Sequence, residues 1–186
     1  AAGTAIVTLM LAAGVGDVVV CDKDGALSGD DETLSPAMAE LASRTNHERR
    51  RGDLHTVLHG ADVFIGVSAP GVLQAEWIAD MADDAVVFAL ANPDPEVDPA
   101  QAAKYAAVVA SGRSDYPNQI NNVLAFPGVF RGLLDARASN VTIEMMLRAA
   151  EAIAHVVHDD ELNPSFIIPT VFHPDVPGAV ASAIKG

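Results

Sequence analysis

Residues 61–92 read ADVFIGVSAPGVLQAEWIADMADDAVVFALAN. Two apolar runs of strand length, Asp62 to Val67 and Ala85 to Ala91, flank a stretch of helical length from Leu73 to Ala82. Neither run shows the polar alternation of a half-solvated sheet, so each predicts a strand covered on both faces. Ser68-Ala69-Pro70-Gly71 turns the chain between the first strand and the helix.

The same alternation continues outward. Upstream, Thr4 to Val15 reads as a helix punctuated by Gly14 and Gly16, and Asp17 to Asp22 (DVVVCD) as a short strand. Helices follow over Ser35 to Thr45 and Asp53 to Leu58, with Ser35 and Asp53 as N-caps. Downstream come a helix over Pro99 to Tyr105 and a strand over Ala106 to Ser111. Two longer helices, Asn121 to Ala136 and Thr142 to His158, and a last one over Pro177 to Ile184 complete the chain. Four apolar strands separated by helices predict an α/β fold, a doubly wound parallel sheet of the Rossmann type. The whole of 1–186 is read as one domain, with carboxyl-terminal helices from about 121.

Composition narrows the function classes. Half of the 186 residues are apolar and 19% are charged, which is globular composition. The net charge of −14 excludes a nucleic-acid partner, which needs a basic surface to displace counterions from phosphate. Arg49, Arg50 and Arg51 form the one dense basic cluster, and acids flank it on both sides. The single cysteine, Cys21, permits no internal disulfide and no cysteine-based metal site, and it fits a reducing, cytoplasmic setting. The apolar runs are far too short to span a membrane, and the opening residues lack the basic region of a signal peptide. The chain opens on Ala1 without Met, and we read it as a fragment.

In a doubly wound sheet, ligands bind at the carboxyl ends of the strands. This sequence puts Asp22, Ser68, Asn92 and Ser111 there. Ala1-Ala2-Gly3 opens a helix, and Gly3 reads either as the last glycine of a dinucleotide loop or as an ordinary structural glycine. Asp22 lies 19 residues beyond Gly3, where a carboxylate would accept both hydroxyls of an adenosine ribose and repel a 2′-phosphate. A strand-end turn residue is the other reading. Asp24 adds negative charge, while Lys23 is able to pair with a phosphate. Ser68-Ala69-Pro70-Gly71 reads as a close approach for a flat ligand or, equally, as a plain turn. Asn92 offers both donors and an acceptor without adding charge. The loop Ser111 to Asn122 (SGRSDYPNQINN) is rich in Asn and would cradle a carboxylate substrate, capping accounting for one Asn. His55 and His59, four apart, are read as a solvated helix face rather than a metal site.

Four blocks together resemble the NAD-binding domain of malic enzymes, in the style of the shorter bacterial type. They are DVFIGVSAPG from Asp62, VFALANPDP from Val87, ASGRSDYPNQINNVLAFPGVFRG from Ala110 and SFIIPT from Ser165. The resemblance implies oxidative decarboxylation of malate to pyruvate and carbon dioxide, with NAD or NADP and a divalent Mg or Mn ion. Carried over residue by residue, Gly3 would close the phosphate loop and Asp22 would hold the adenosine ribose, with Lys23 beside it. Val67 and Ser68 would line the cofactor site, and Asn92 would face both the nicotinamide and malate. Asn122 would bind a malate carboxylate, with Asn121 beside it.

The resemblance places the general acid, the general base and the metal ligands in a preceding segment, so no catalytic residue and no metal ligand is assigned within this chain. The first strand and most of the Gly-rich loop would be missing, leaving Cys21 and its neighbours without a pairing partner. Asp24 stands where some relatives carry a basic residue, so NAD is favoured. Malic enzymes commonly assemble as homo-oligomers, and one arrangement adds a phosphotransacetylase-like module after the last helix. The competing readings are another Rossmann-type dehydrogenase domain and a non-catalytic nucleotide-binding module. The block from Arg113 to Gly128 discriminates against the first, and malate turnover would exclude the second. We expect these 186 residues alone to be marginally stable or to aggregate; a cooperative thermal transition without partner protein would count against it.

Overall fold

The computed structural model describes residues 2–186. Ala1, read above as part of a Gly-rich loop, lies outside the described residues. Three strands, β3 (Val63–Gly66), β4 (Val86–Ala89) and β5 (Val108–Ser111), form a parallel sheet in the order β3-β4-β5. Their register pairs Gly66 with Ala89 and Ala89 with Ser111, so all three carboxyl ends share one edge. The residues that build the ladders are those that periodicity selected: Val, Ile, Phe and Ala with no interrupting charge.

Val87 and Ala89 are fully buried and share one core with Leu58, Leu73, Ile78, Met81, Val97 and Ala102, and Ala110 of β5 is fully buried as well. The connection over β3 and β4 is a 3-10 helix, Ala75–Asp80, where an α-helix over Leu73 to Ala82 was expected. Both ends of that segment are tied down. Leu73 N–H donates to Glu96 O (3.1 Å), Gly60 N–H to Asp80 O (2.8 Å) and Ala82 N–H to Ala61 O (3.0 Å). Between Leu73 and these ties, Ala75–Asp80 winds as the tighter 3-10 helix.

The first third is organised differently from the expected fourth parallel strand. After α1 (Ala2–Ala12), only Cys21–Asp22 of the DVVVCD run forms a ladder. This β1 pairs antiparallel with β2 (Gly25–Ala26) across the two-residue turn Lys23-Asp24. Residues 17–20 have no parallel neighbour among the described residues. Val18 O accepts from Asn46 N–H (2.9 Å) and Val20 O from Leu27 N–H (2.8 Å), which satisfies one edge of the run only. A strand needs a partner as well as a sequence, and here the local partner is a hairpin. The helices α2 (Pro36–Ala42) and α3 (Leu54–Leu58) begin on the expected caps, Ser35 accepting from Met38 N–H and Asp53 from Thr56 N–H. Val7, Leu27, Leu41 and Ala42 form the core of this part. Burial beside Asp22 and Asp53 pushes the Cys21 thiol up to about 11.

Beyond the sheet, α4 (Pro99–Ala102) leads into β5, and three helices follow: α5 (Phe126–Ala136), α6 (Ile143–Ala154) and α7 (Val176–Lys185). The expected single helix from Asn121 begins instead as a 3-10 turn, Asn122–Leu124, before α5. Their core is Leu124, Ala149, Val176, Val180 and Ile184. Close approach of α5 to α7 depends on Gly128 and Gly132, spaced four apart on one helix face. A Cβ on Gly132 would stand 2.6 Å from Ile184 Cβ and 2.7 Å from Ala181 O. No described helix is long and apolar enough to cross a membrane.

Two outcomes are expected. Gly132→Ala should lower the midpoint of chemical unfolding by an amount equivalent to about 1–3 kcal/mol, because backbone and Cβ atoms must move apart. That exceeds the gain of about 1 kcal/mol that alanine brings to a helix. An unchanged midpoint would contradict the close-packed interface. Second, Cys21 should react with a disulfide reagent at pH 8 at least about tenfold more slowly in the folded chain than in urea, because its thiolate fraction and its access are both reduced. Equal rates would show that the thiol is not held as described.

Candidate active site

Parallel register places the exits of β3 and β4 side by side, and Ser68 and Asn92 lie just past them. The start of α1 meets the same edge: a Cβ on Gly3 would stand 3.6 Å from Val67 Cγ2. Gly3 is thus next to Val67, with Ser68 following on the exposed side of the edge. A Cβ at this position would be in ordinary contact with Val67, so the glycine lets the helix start lie close to the strand exit. The structure therefore brings together Gly3, Val67 and Ser68, and register sets the Asn92 loop beside them.

Asp22 closes β1 at the hairpin turn and is exposed. Its Oδ1 accepts from Asp24 N–H (2.8 Å), the turn role foreseen as the alternative reading, while Oδ2 has no partner among the described residues. Lys23 is ion-paired to Asp24, and its ammonium proton is held more firmly for that reason. Both side chains of this pair are exposed, so the pairing is a weak surface contact.

The polar loop after β5 sorts into distinct jobs. Asn118, buried and in the left-handed region at φ 56°, donates through Nδ2 to Val109 O (3.0 Å) and Pro164 O (2.9 Å). Its Oδ1 accepts from Ile167 N–H (2.9 Å), so this Asn fastens β5 to the segment around Pro164. Asn121 caps the 3-10 turn, accepting from Val123 N–H (3.0 Å). Arg113 makes a two-pronged pair with Asp115 (2.9 and 2.6 Å) and lies over the Tyr116 ring, which sets the shape of the loop. Asn122 alone among the three asparagines is exposed with a side chain that bonds to no described residue. Asn92 shares that condition. An exposed, unengaged amide near the carboxyl edge of the sheet is free to take a ligand.

Glu96 was not singled out by its sequence. It is fully buried, with Oε1 accepting from Ser68 N–H (2.8 Å) and Oε2 from Ala91 N–H (3.0 Å). An acid between Pro95 and Val97 reads as surface, and only the fold reveals its burial.

Other features stand apart. His55 stacks on Trp77 with ring centroids 4.7 Å apart and pairs with Asp80 (2.9 Å), a packing role. Among the described residues, no three His, Cys, Asp or Glu side chains converge as a metal-binding group. A groove of about 350 Å3 is lined by Pro99, Ala103, Tyr116 and Pro164 and by Ser111 at the end of β5.

Comparison with known proteins agrees with this architecture. The sequence model of the family described as malic enzyme, NAD binding domain, matches residues 7–184. An NAD-dependent malic enzyme of Geobacillus stearothermophilus is 53% identical over 99% of this chain and 38% of its own length. An NADP-dependent malic enzyme of Rhizobium meliloti is 38% identical over 99% of this chain and 26% of its own. The crystal structure of an NAD-dependent malic enzyme from Thermotoga maritima superposes with a TM-score of 0.91 at 47% identity, covering 99% of this chain and 48% of that one. The chain thus spans less than half the length of these relatives. With a family model covering nearly all of it and a Rossmann-type sheet of matching shape, this chain belongs to the malic enzyme family, as its NAD-binding domain.

Proposed function

We propose that this domain serves a malic enzyme that oxidises and decarboxylates malate to pyruvate and carbon dioxide, supplying the cofactor site and part of the malate site. The observation that supports it most is the placement of Gly3, Val67, Ser68 and the Asn92 loop at one carboxyl edge of the sheet. Bound NAD would accept a hydride there. Gly3 admits the pyrophosphate to the start of α1, and Val67 and Ser68 line the cofactor. Asp22 takes the adenosine ribose through its unpartnered Oδ2. The exposed amide of Asn92 reaches the nicotinamide side and malate. Asn122 donates to a malate carboxylate, and Asn121, whose Oδ1 is spent on its cap, contributes at most its Nδ2.

NAD is the proposed cofactor over NADP, since a carboxylate at the ribose repels a 2′-phosphate and Asp24 adds a second negative charge nearby. The proton-transfer groups and the Mg or Mn ion belong, on this reading, to the preceding segment of the protein, as the resemblance to malic enzymes implies. The intact protein is proposed to be a cytoplasmic homo-oligomer that engages neither nucleic acid nor membrane.

The test is malate-dependent reduction of NAD by the full-length polypeptide. Asn122→Ala should raise KM for malate about tenfold or more while leaving the Kd for NADH within about twofold. Asn92→Ala should weaken both. Asp22→Ala should lower kcat/KM with NAD about tenfold and narrow the gap to NADP. Absence of malate turnover would reject the proposal, and a wild type that prefers NADP would reject its cofactor assignment.

A further inference from the structure

From the arrangement around Glu96 we infer that this residue is a positioning residue, which holds the two cofactor-facing loops at a fixed spacing beyond the end of the sheet. The inference rests on the cofactor-site reading above. The last rung between β3 and β4 is Leu90 N–H to Gly66 O (3.0 Å). Past it the strands part, and the amides of Ser68 and Ala91 leave the ladder. The Glu96 carboxyl group takes both, one oxygen to each, at 2.8 and 3.0 Å. Ser68 is itself a cofactor-lining position, and Ala91 is bonded directly to Asn92. The backbone on either side of Glu96 adds two further ties, Gly71 N–H to Pro95 O (3.3 Å) and Leu73 N–H to Glu96 O (3.1 Å).

Gly66 is the counterpart of this carboxyl. A Cβ on Gly66 would lie 2.4 Å from Glu96 Cδ and 2.7 Å from Oε1, so the side chain fits only over a glycine. Two amide donors arranged around one carboxyl demand two acceptors. A glutamine offers one oxygen, and its NH2 group would face the second amide donor with another donor. Glu96 touches neither cofactor nor substrate on this account. It acts through Ser68 and Asn92.

The test uses the full-length polypeptide carrying Glu96→Gln, Glu96→Ala, and Glu96→Ala combined with Gly66→Ala. Glu96→Gln should raise the Kd for NADH about tenfold, the loss of one well-placed hydrogen bond, and speed hydrogen exchange at the Ser68 and Ala91 amides by at least as much. In the double variant the added methyl fills the vacated space. Its unfolding midpoint should recover toward wild type while NADH affinity stays low. Recovery of both would mean that Glu96 only fills space, and would overturn the inference. So would a Glu96→Gln enzyme that binds NADH as tightly as wild type. A wild type that binds no NADH would instead overturn the cofactor reading, and this role with it. The amide exchange needs no ligand and separates the two failures.

Discussion

Gly66, Ala89 and Ser111 end three parallel strands in a single register, and that register is the constraint on which the site depends. Parallel strands deliver all their carboxyl ends to one edge, where amides and carbonyls run out of ladder partners. Every polar residue given a role at β3 and β4 is a consequence of that edge. Ser68 and Asn92 occupy it, α1 opens onto it at Gly3, and Glu96 gathers the amides that the ladder releases. Were β3 shifted by one residue against β4, Ser68 and Ala91 would face opposite sides and no one carboxyl could reach both.

Packing around the edge relies on small residues more than on large ones. Aromatic residues are only 5% of the chain, and the sheet's most buried positions are Val87, Ala89 and Ala110. Gly66 under Glu96 and Gly132 against Ile184 show the same solution at two scales: a missing side chain lets a neighbour approach closely and be held in one place. The second of these keeps α5 and α7 together, and the 3-10 turn that presents Asn122 leads directly into α5. The exposed Asn122 amide is thereby anchored to a helical core separate from that of the sheet.

Much of this was legible in the sequence. Apolar runs without alternation marked β3, β4 and β5, and Ser35 and Asp53 marked helix starts, because both signals are local. The residues that resisted reading are those whose role is set by distant partners. DVVVCD has the composition of a strand, yet Asp17 to Val20 find no parallel neighbour among the described residues, and Cys21–Asp22 settle into a hairpin. Asn118, Asn121 and Asn122 look alike in sequence, but one fastens β5 to a segment 46 residues away, one caps a turn, and one stays unengaged. Glu96 left no signal, since nothing next to Pro95 foretells a buried acid. The glycine that makes room for it lies 30 residues earlier.

The most direct measurement is a crystal structure of the full-length polypeptide with NAD bound. The pyrophosphate is expected at Gly3, the adenosine ribose within hydrogen-bond reach of Asp22 at about 2.7–3.2 Å, and the nicotinamide end beside Asn92. Nucleotide found away from the β3–β4 edge, for instance in the groove between Pro99, Tyr116 and Pro164, would contradict this placement.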